Sequence, residues 1–242
     1  MTTPLFELCA ESREAAAAAE AGGADRIELC SELAMGGLTP DTKLMAASIS
    51  AVSIPVYILI RPRGGDFVYS EPELEQMRRQ IDEARSAGAT GVALGVLKPD
   101  GRVNVDETRA LIEYARPMKT TFHRAFDETP DLCEALESVI VAGADNLLTS
   151  GGAAEVLRGA ESIGSLTRLA RGRIHILAGG GLRLATLTEV VRRSGGFSIH
   201  GSLTRKNGSR SPEVARALLE TDVREAVRLL RREYEERMAA AR

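Results

Sequence analysis

Eight short runs rich in apolar and β-branched residues recur along the chain, near positions 5–9, 25–30, 55–60, 90–96, 119–124, 145–149, 173–178 and 197–200, at intervals of 20 to 35 residues. No other feature narrows the fold as far. The intervening segments carry helix signals. Ser70-Glu-Pro-Glu73 reads as a capping box whose helix Gly88 closes, Ser211-Pro212 opens the last helix, and Gly22 and Gly143 sit where C-caps belong. Strand runs alternating with helices imply right-handed crossovers and a parallel sheet. Eight such units predict an α/β fold, the (β/α)8 TIM barrel, as a single domain over residues 1–242. A doubly wound open sheet is the competing topology, but it needs a glycine-rich turn after its first strand, where this chain has Cys9-Ala-Glu-Ser12.

A chain of 242 residues with 44% hydrophobic content can bury a large core. With 31 basic and 34 acidic residues interspersed, net charge −3 and no tryptophan, it has neither the basic footprint nor the stacking platforms of a nucleic-acid binder. No apolar run reaches the roughly 20 residues of a membrane span, and Met1-Thr-Thr-Pro4 does not open a signal region. Three cysteines are too few and odd in number for a disulfide scaffold, so the expectation is a cytoplasmic protein with free thiols. The polar stretch Thr204–Arg210 reads as a mobile loop.

Side chains at the C-terminal ends of barrel strands converge on one mouth, so polar residues there read as site. Glu7-Leu8-Cys9 and Glu28-Leu29-Cys30 stand 21 residues apart on the first two runs. Neighbouring parallel strands lie about 4.8 Å apart, which brings two thiols and two carboxylates together. Two thiolates suit Cu(I), a soft ion content with few ligands, whereas zinc would want further His or Cys. In a barrel, His123 and His200 are expected three strands or more from the cysteine pair, which favours anion contact or proton transfer for them. Cys133, beside Leu132 and Leu136, reads as helix packing.

Carboxylates inside apolar strands need cations or take up protons, and Arg61 is the nearest candidate for Glu7 and Glu28. The later strand ends add Arg61-Pro-Arg63-Gly-Gly-Asp66, His123-Arg124-Ala-Phe-Asp127, Thr149-Ser-Gly-Gly152, Gly179-Gly180-Gly181 and His200-Gly-Ser202. Arg61, Arg63 and Arg124 supply positive charge, and the backbone around Gly180, Gly181 and Ser202 occupies the place where barrels bind anions. With Glu7 or Glu28 as base and His123 or His200 as acid, this cup could act on a small anionic substrate, phosphorylated ones included. Loop ion pairing is the simpler account of Arg63, Arg124 and Asp127.

At these residues the chain resembles the CutC copper homeostasis family. The likeness runs nearly end to end, through Gly23-Ala-Asp-Arg-Ile-Glu-Leu-Cys30, Gly36-Gly-Leu-Thr-Pro40, Arg61-Pro-Arg-Gly-Gly-Asp-Phe67, Thr121-Phe-His-Arg-Ala-Phe-Asp127 and Leu148-Thr-Ser-Gly151, and more loosely through Ala178–Arg183 and Ile199–Ser202. The chain departs from the family after strand eight, in Gly201 and Leu203–Lys206. The resemblance implies a (β/α)8 barrel and cytosolic handling of copper, with Cys9 and Cys30 as the proposed Cu(I) ligands. Three functions stay open at this point: Cu(I) binding, isomerase or lyase chemistry on a small anion, and a non-catalytic scaffold forming a homo-oligomer.

Overall fold

The computed structural model describes residues 3–203 and 211–241. Eight parallel strands close into a barrel in sequence order: β1 Leu5–Ala10, β2 Arg26–Leu29, β3 Val56–Leu59, β4 Gly91–Leu94, β5 Lys119–Phe122, β6 Asn146–Thr149, β7 His175–Ala178 and β8 Ser198–Gly201. The helices are α1 Arg13–Gly22, α2 Thr42–Ile49, α3 Glu71–Ala87, α4 Val105–Ala115, α5 Leu132–Ala142, α6 Val156–Ala170, α7 Leu187–Ser194 and α8 Pro212–Ala240. The expected barrel is therefore the observed one, and the open sheet is excluded. The Thr204–Arg210 stretch, expected as a mobile loop, lies outside the described residues.

Local chemistry places the element ends where the sequence signals put them, with one exception. Ser70 and Glu73 form their reciprocal capping box, Ser211 caps α8, and Gly88 and Gly143 end α3 and α5 in the left-handed conformation. The cap of α1, however, is Gly23 at φ 89°, not Gly22. Gly22 serves packing instead, since a Cβ there would stand 2.6 Å from Val223 and its hydrogen lets α1 and α8 approach closely. Cys133 is exposed, because α5 turns Ala135, Leu136 and Val139 inward and leaves position 133 facing solvent.

The barrel interior is polar at its centre and apolar outside, where strands meet helices. Phe6, Leu8, Ile27, Leu29, Ile58 and Phe122 face the helices and are fully buried. Inside, the Tyr57 ring occupies space that a Cβ at Gly91 would enter, at 2.6 Å, and the Arg26 guanidinium lies 4.1 Å from that ring's centroid. At the far end His175 and Ser198 are hydrogen-bonded at 2.5 Å.

The backbone after β6 rests directly on α6. A Cβ on Gly159 would fall 1.8 Å from the Ser150 carbonyl oxygen. Gly159→Ala is expected to destabilise the protein by about 1–3 kcal/mol or more, since backbone and not a side-chain tip must yield. Urea unfolding of the variant checks this, and an unchanged midpoint would contradict the packing.

Candidate functional site

Register decides which residues meet at the mouth. β1 and β2 pair Glu7 with Arg26 and Cys9 with Glu28, so the two Glu-Leu-Cys copies are displaced by two residues across the ladder. The thiols still approach diagonally, with Cys9 Sγ and Cys30 Sγ 3.5 Å apart and both residues buried. Leu59, Ala93 and Leu33 form an apolar surround for them. Closure then makes β8 the neighbour of β1, pairing Glu7 with His200. His200 is therefore one strand from Cys9, not three or more. One ligand atom each of Cys9, Glu28 and His200 lie within 4.8 Å of one another.

Beneath this group Glu7 is fully buried and is held by an ion pair with Arg26 and by His200 Nδ1 at 2.7 Å. Arg61, expected as its partner, bonds three backbone carbonyls instead: Met35 at 3.2 Å, Gly37 at 3.1 Å and Gly65 at 2.8 Å. Arg26 is the cation that sequence reasoning missed. It precedes Glu28 by two positions, so strand alternation already puts both on the same face, although Arg26 opens its strand and does not stand at the mouth end.

The electrostatics follow from these partners. Burial alone would raise the Glu7 pKa, but Arg26 and His200 outweigh it and bring it down to about 2. Glu28 lacks such a pair. Burial dominates there, the Glu7 charge adds to it against the pull of His200, and the carboxyl is pushed up to about 7. His200 is depressed by burial yet ends above its ordinary value because Glu28 and Glu7 favour its cationic form. The Cys9 thiol is raised by its contact with Cys30, then by burial and nearby negative charge. The pair is thus held as S–H at Cys9 until something displaces a proton.

The mouth opens into a cavity of about 690 Å³ lined by Cys9, Glu28, Cys30, Arg61, His123, Arg124, Gly180, Gly181, His200 and Ser202, all named from the sequence. Glu7 does not reach it, and neither does Arg63. Arg63 is engaged by Glu73 at 2.5 Å, Asp66 at 3.0 Å and the Val68 carbonyl at 2.7 Å, which fix its own loop. Asp127 joins two loops by accepting from Arg124 Nε at 2.9 Å, Thr149 Oγ1 at 2.5 Å and the Ser150 and Gly152 amides. Gly180, at φ 107°, leaves room for Arg124, whose Cζ would stand 2.9 Å from a Cβ there.

His123 has one fixed role. Its Nδ1 accepts from the Ala125 N–H at 3.2 Å, so a neutral ring carries its proton on Nε2. Burial, then the charges of Arg61 and Arg124, push its pKa down to about 3, which makes it a neutral donor and not the acid expected. Its ring 15N shifts should show the same neutral tautomer from pH 5 to 8, and an imidazolium pattern in that window would contradict the assignment. Because the unfolded ring titrates near 6.5 and the folded one near 3, this residue's contribution to stability is complete above about pH 6.5 and declines as pH falls towards 3.

The CutC family profile matches residues 4–205. A CutC protein of Caulobacter vibrioides strain NA1000 is 47% identical over 198 residues, which is 82% of this chain and 80% of that protein. A human protein named copper homeostasis protein cutC homolog is 42% identical over 206 residues, 84% of this chain and 76% of its own length. The crystal structure of the putative copper homeostasis protein CutC from Streptococcus agalactiae superimposes with a TM-score of 0.78 at 28% identity, covering 84% of this chain and 100% of that one. A shared barrel, a profile match over most of the chain and this level of identity lead to one assignment: the chain belongs to the CutC family.

Proposed function

We propose that the protein binds Cu(I) in the cytosol through Cys9 and Cys30, with Glu28 and His200 beside them as further donors. The observation that carries this reading is the 3.5 Å approach of two buried thiols next to a carboxylate and an imidazole. With metal–sulfur bonds about as long as the 2.3 Å of zinc thiolates, two sulfurs in line across an ion would stand about 4.6 Å apart. The shorter spacing favours a bent arrangement with the ion to one side of the sulfur–sulfur line, and that arrangement leaves room for a third donor. Soft sulfur selects Cu(I), and the name of the human relative points the same way.

Binding must displace thiol protons, so affinity should fall as pH is lowered. Titration of reduced protein with Cu(I) against a chromophoric chelator puts this to the test. One ion retained per chain, with sulfur-to-copper absorbance, is expected. Failure to hold any ion against a weak chelator would overturn the reading.

A second reading is favoured by the size and furniture of the cavity, which a single ion does not need. Glu28 and His200 border a space of about 690 Å³ and are suited to moving a proton on a small anion held there. His123 would donate a hydrogen bond to the anion held there without itself ionising. Isotope exchange from deuterated water into a carbonyl or hydroxy acid tests this. No enzyme-dependent exchange across a panel of such acids would count against it.

A further inference from the structure

We propose that Arg61 and His123 form a subsite for the carboxylate of a small organic monoacid, on the β3 and β5 side of the cavity. The inference supplies a ligand class for the acid–base reading, rests on the same cavity, and is independent of metal at Cys9 and Cys30.

Arg61 is 6% exposed and borders the cavity. Its hydrogen bonds go to neutral carbonyl oxygens, and among the described residues no carboxylate oxygen lies within 4.0 Å of it. Arg26, the other buried arginine of the barrel, has Glu7. Arg124 at the same mouth has Asp127 at 2.9 Å. A buried guanidinium held only by dipoles keeps a full positive charge to offer.

His123 adds a neutral donor on the same wall. Its Nδ1 is occupied by the Ala125 amide and its Nε2 is buried with no partner. Arg61 Nε and the Tyr69 hydroxyl beside that guanidinium are likewise buried without a partner within hydrogen-bond distance. Buried N–H groups without acceptors are rare, and each calls for an explanation. Phe67 fixes the two residues on one wall: its ring centroid lies 4.7 Å from Arg61 Cζ and 5.0 Å from the His123 ring.

Charge selects the ligand class. One uncompensated guanidinium and one neutral N–H match a singly charged carboxylate, with its two oxygens. A phosphate dianion would leave a charge unmatched, because Arg124 is already paired. Leu59, Leu148 and Leu182 line the rest of the cavity and offer apolar contact to the body of an organic acid. A halide would satisfy the charge and leave that space unused.

Calorimetry and thermal shift on reduced protein with a chelator present, using pyruvate and isovalerate against chloride and inorganic phosphate at equal ionic strength, test the proposal. At least one carboxylate should bind saturably and raise the melting temperature more than chloride or phosphate, and should move the His123 Nε2–H resonance. His123→Phe keeps a ring against Phe67 and should weaken binding about tenfold, as expected for one hydrogen bond to a charged group. Arg61→Gln should abolish it. Absence of saturable binding, equal stabilisation by chloride, tighter binding of phosphate, or unchanged affinity in His123→Phe would each overturn the subsite. Carboxylate binding with no isotope exchange would support the subsite and overturn the acid–base reading alone.

Discussion

Replacing Arg26 with methionine should destabilise the protein by about 3–5 kcal/mol, the cost of leaving a buried charge without its partner. Glu7 is fully buried, and its pair with Arg26 closes inside the barrel, where water cannot substitute for the lost guanidinium. His200 remains as one partner of Glu7, and methionine keeps most of the side-chain volume over Tyr57, so the loss reports charge more than cavity. The companion variant separates the two causes. Arg26→Met with Glu7→Leu removes both charges and should recover a large part of the stability. Denaturant midpoints measure both, and a double variant no more stable than the single one would refute the ion-pair account. The acid limb supplies a further check. With its pKa lowered to about 2 from an ordinary 4.5, Glu7 contributes roughly 3 kcal/mol that is present above about pH 4.5 and lost as pH falls towards 2. That limb should shrink in Arg26→Met.

Copper affinity should fall by more than about 100-fold in Cys9→Ser with Cys30→Ser. Groups that merely orient a metal ligand already cost 10–100-fold when removed, and here both sulfur donors go. The informative members of the series are His200→Gln and Glu28→Gln. If the ion sits to one side of the 3.5 Å sulfur pair and takes a third donor, one of these variants should lose about 10–100-fold. If neither changes affinity, the two thiolates act alone and the bent arrangement is wrong. Chelator competition places all of these variants on one scale. His200→Gln also releases Glu7 from a 2.7 Å contact, so its stability must be measured beside its affinity.

The barrel was legible because each unit carries its own local evidence: an apolar run, a cap, a helix, a glycine. Register was not. The Glu-Leu-Cys repeat has an offset of 21, whereas the ladder pairs residues with an offset of 19, as Glu7 with Arg26 and Cys9 with Glu28 show. Barrel stagger sets that shift, and no local signal encodes it. His200 is a different case: a closed eight-stranded barrel already puts β8 beside β1, so its place next to Cys9 follows from the expected fold, and counting three strands between them overlooks closure. The cavity residues at strand ends were recoverable from position alone, including Arg61, His123 and Arg124, but their partners were not. Arg61, placed on a carboxylate by the sequence, bonds carbonyls, whereas Arg63 takes the loop ion pairing that was the simpler account of it. Partner choice depends on loop conformation after the strand, which composition does not reveal.

The contact between Glu7 and His200 spans 193 positions. A growing chain has both thiols within its first 30 residues, yet the imidazole that completes their surroundings arrives only with the last strand. Joining the two is a loop-closure event over most of the chain, the kind of non-local step that slows folding. The mouth is complete only when β8 is sealed against β1, and α8 packs on α1 at the same seam. Ligand capture there would report that folding had finished, and would hold the seam shut afterwards.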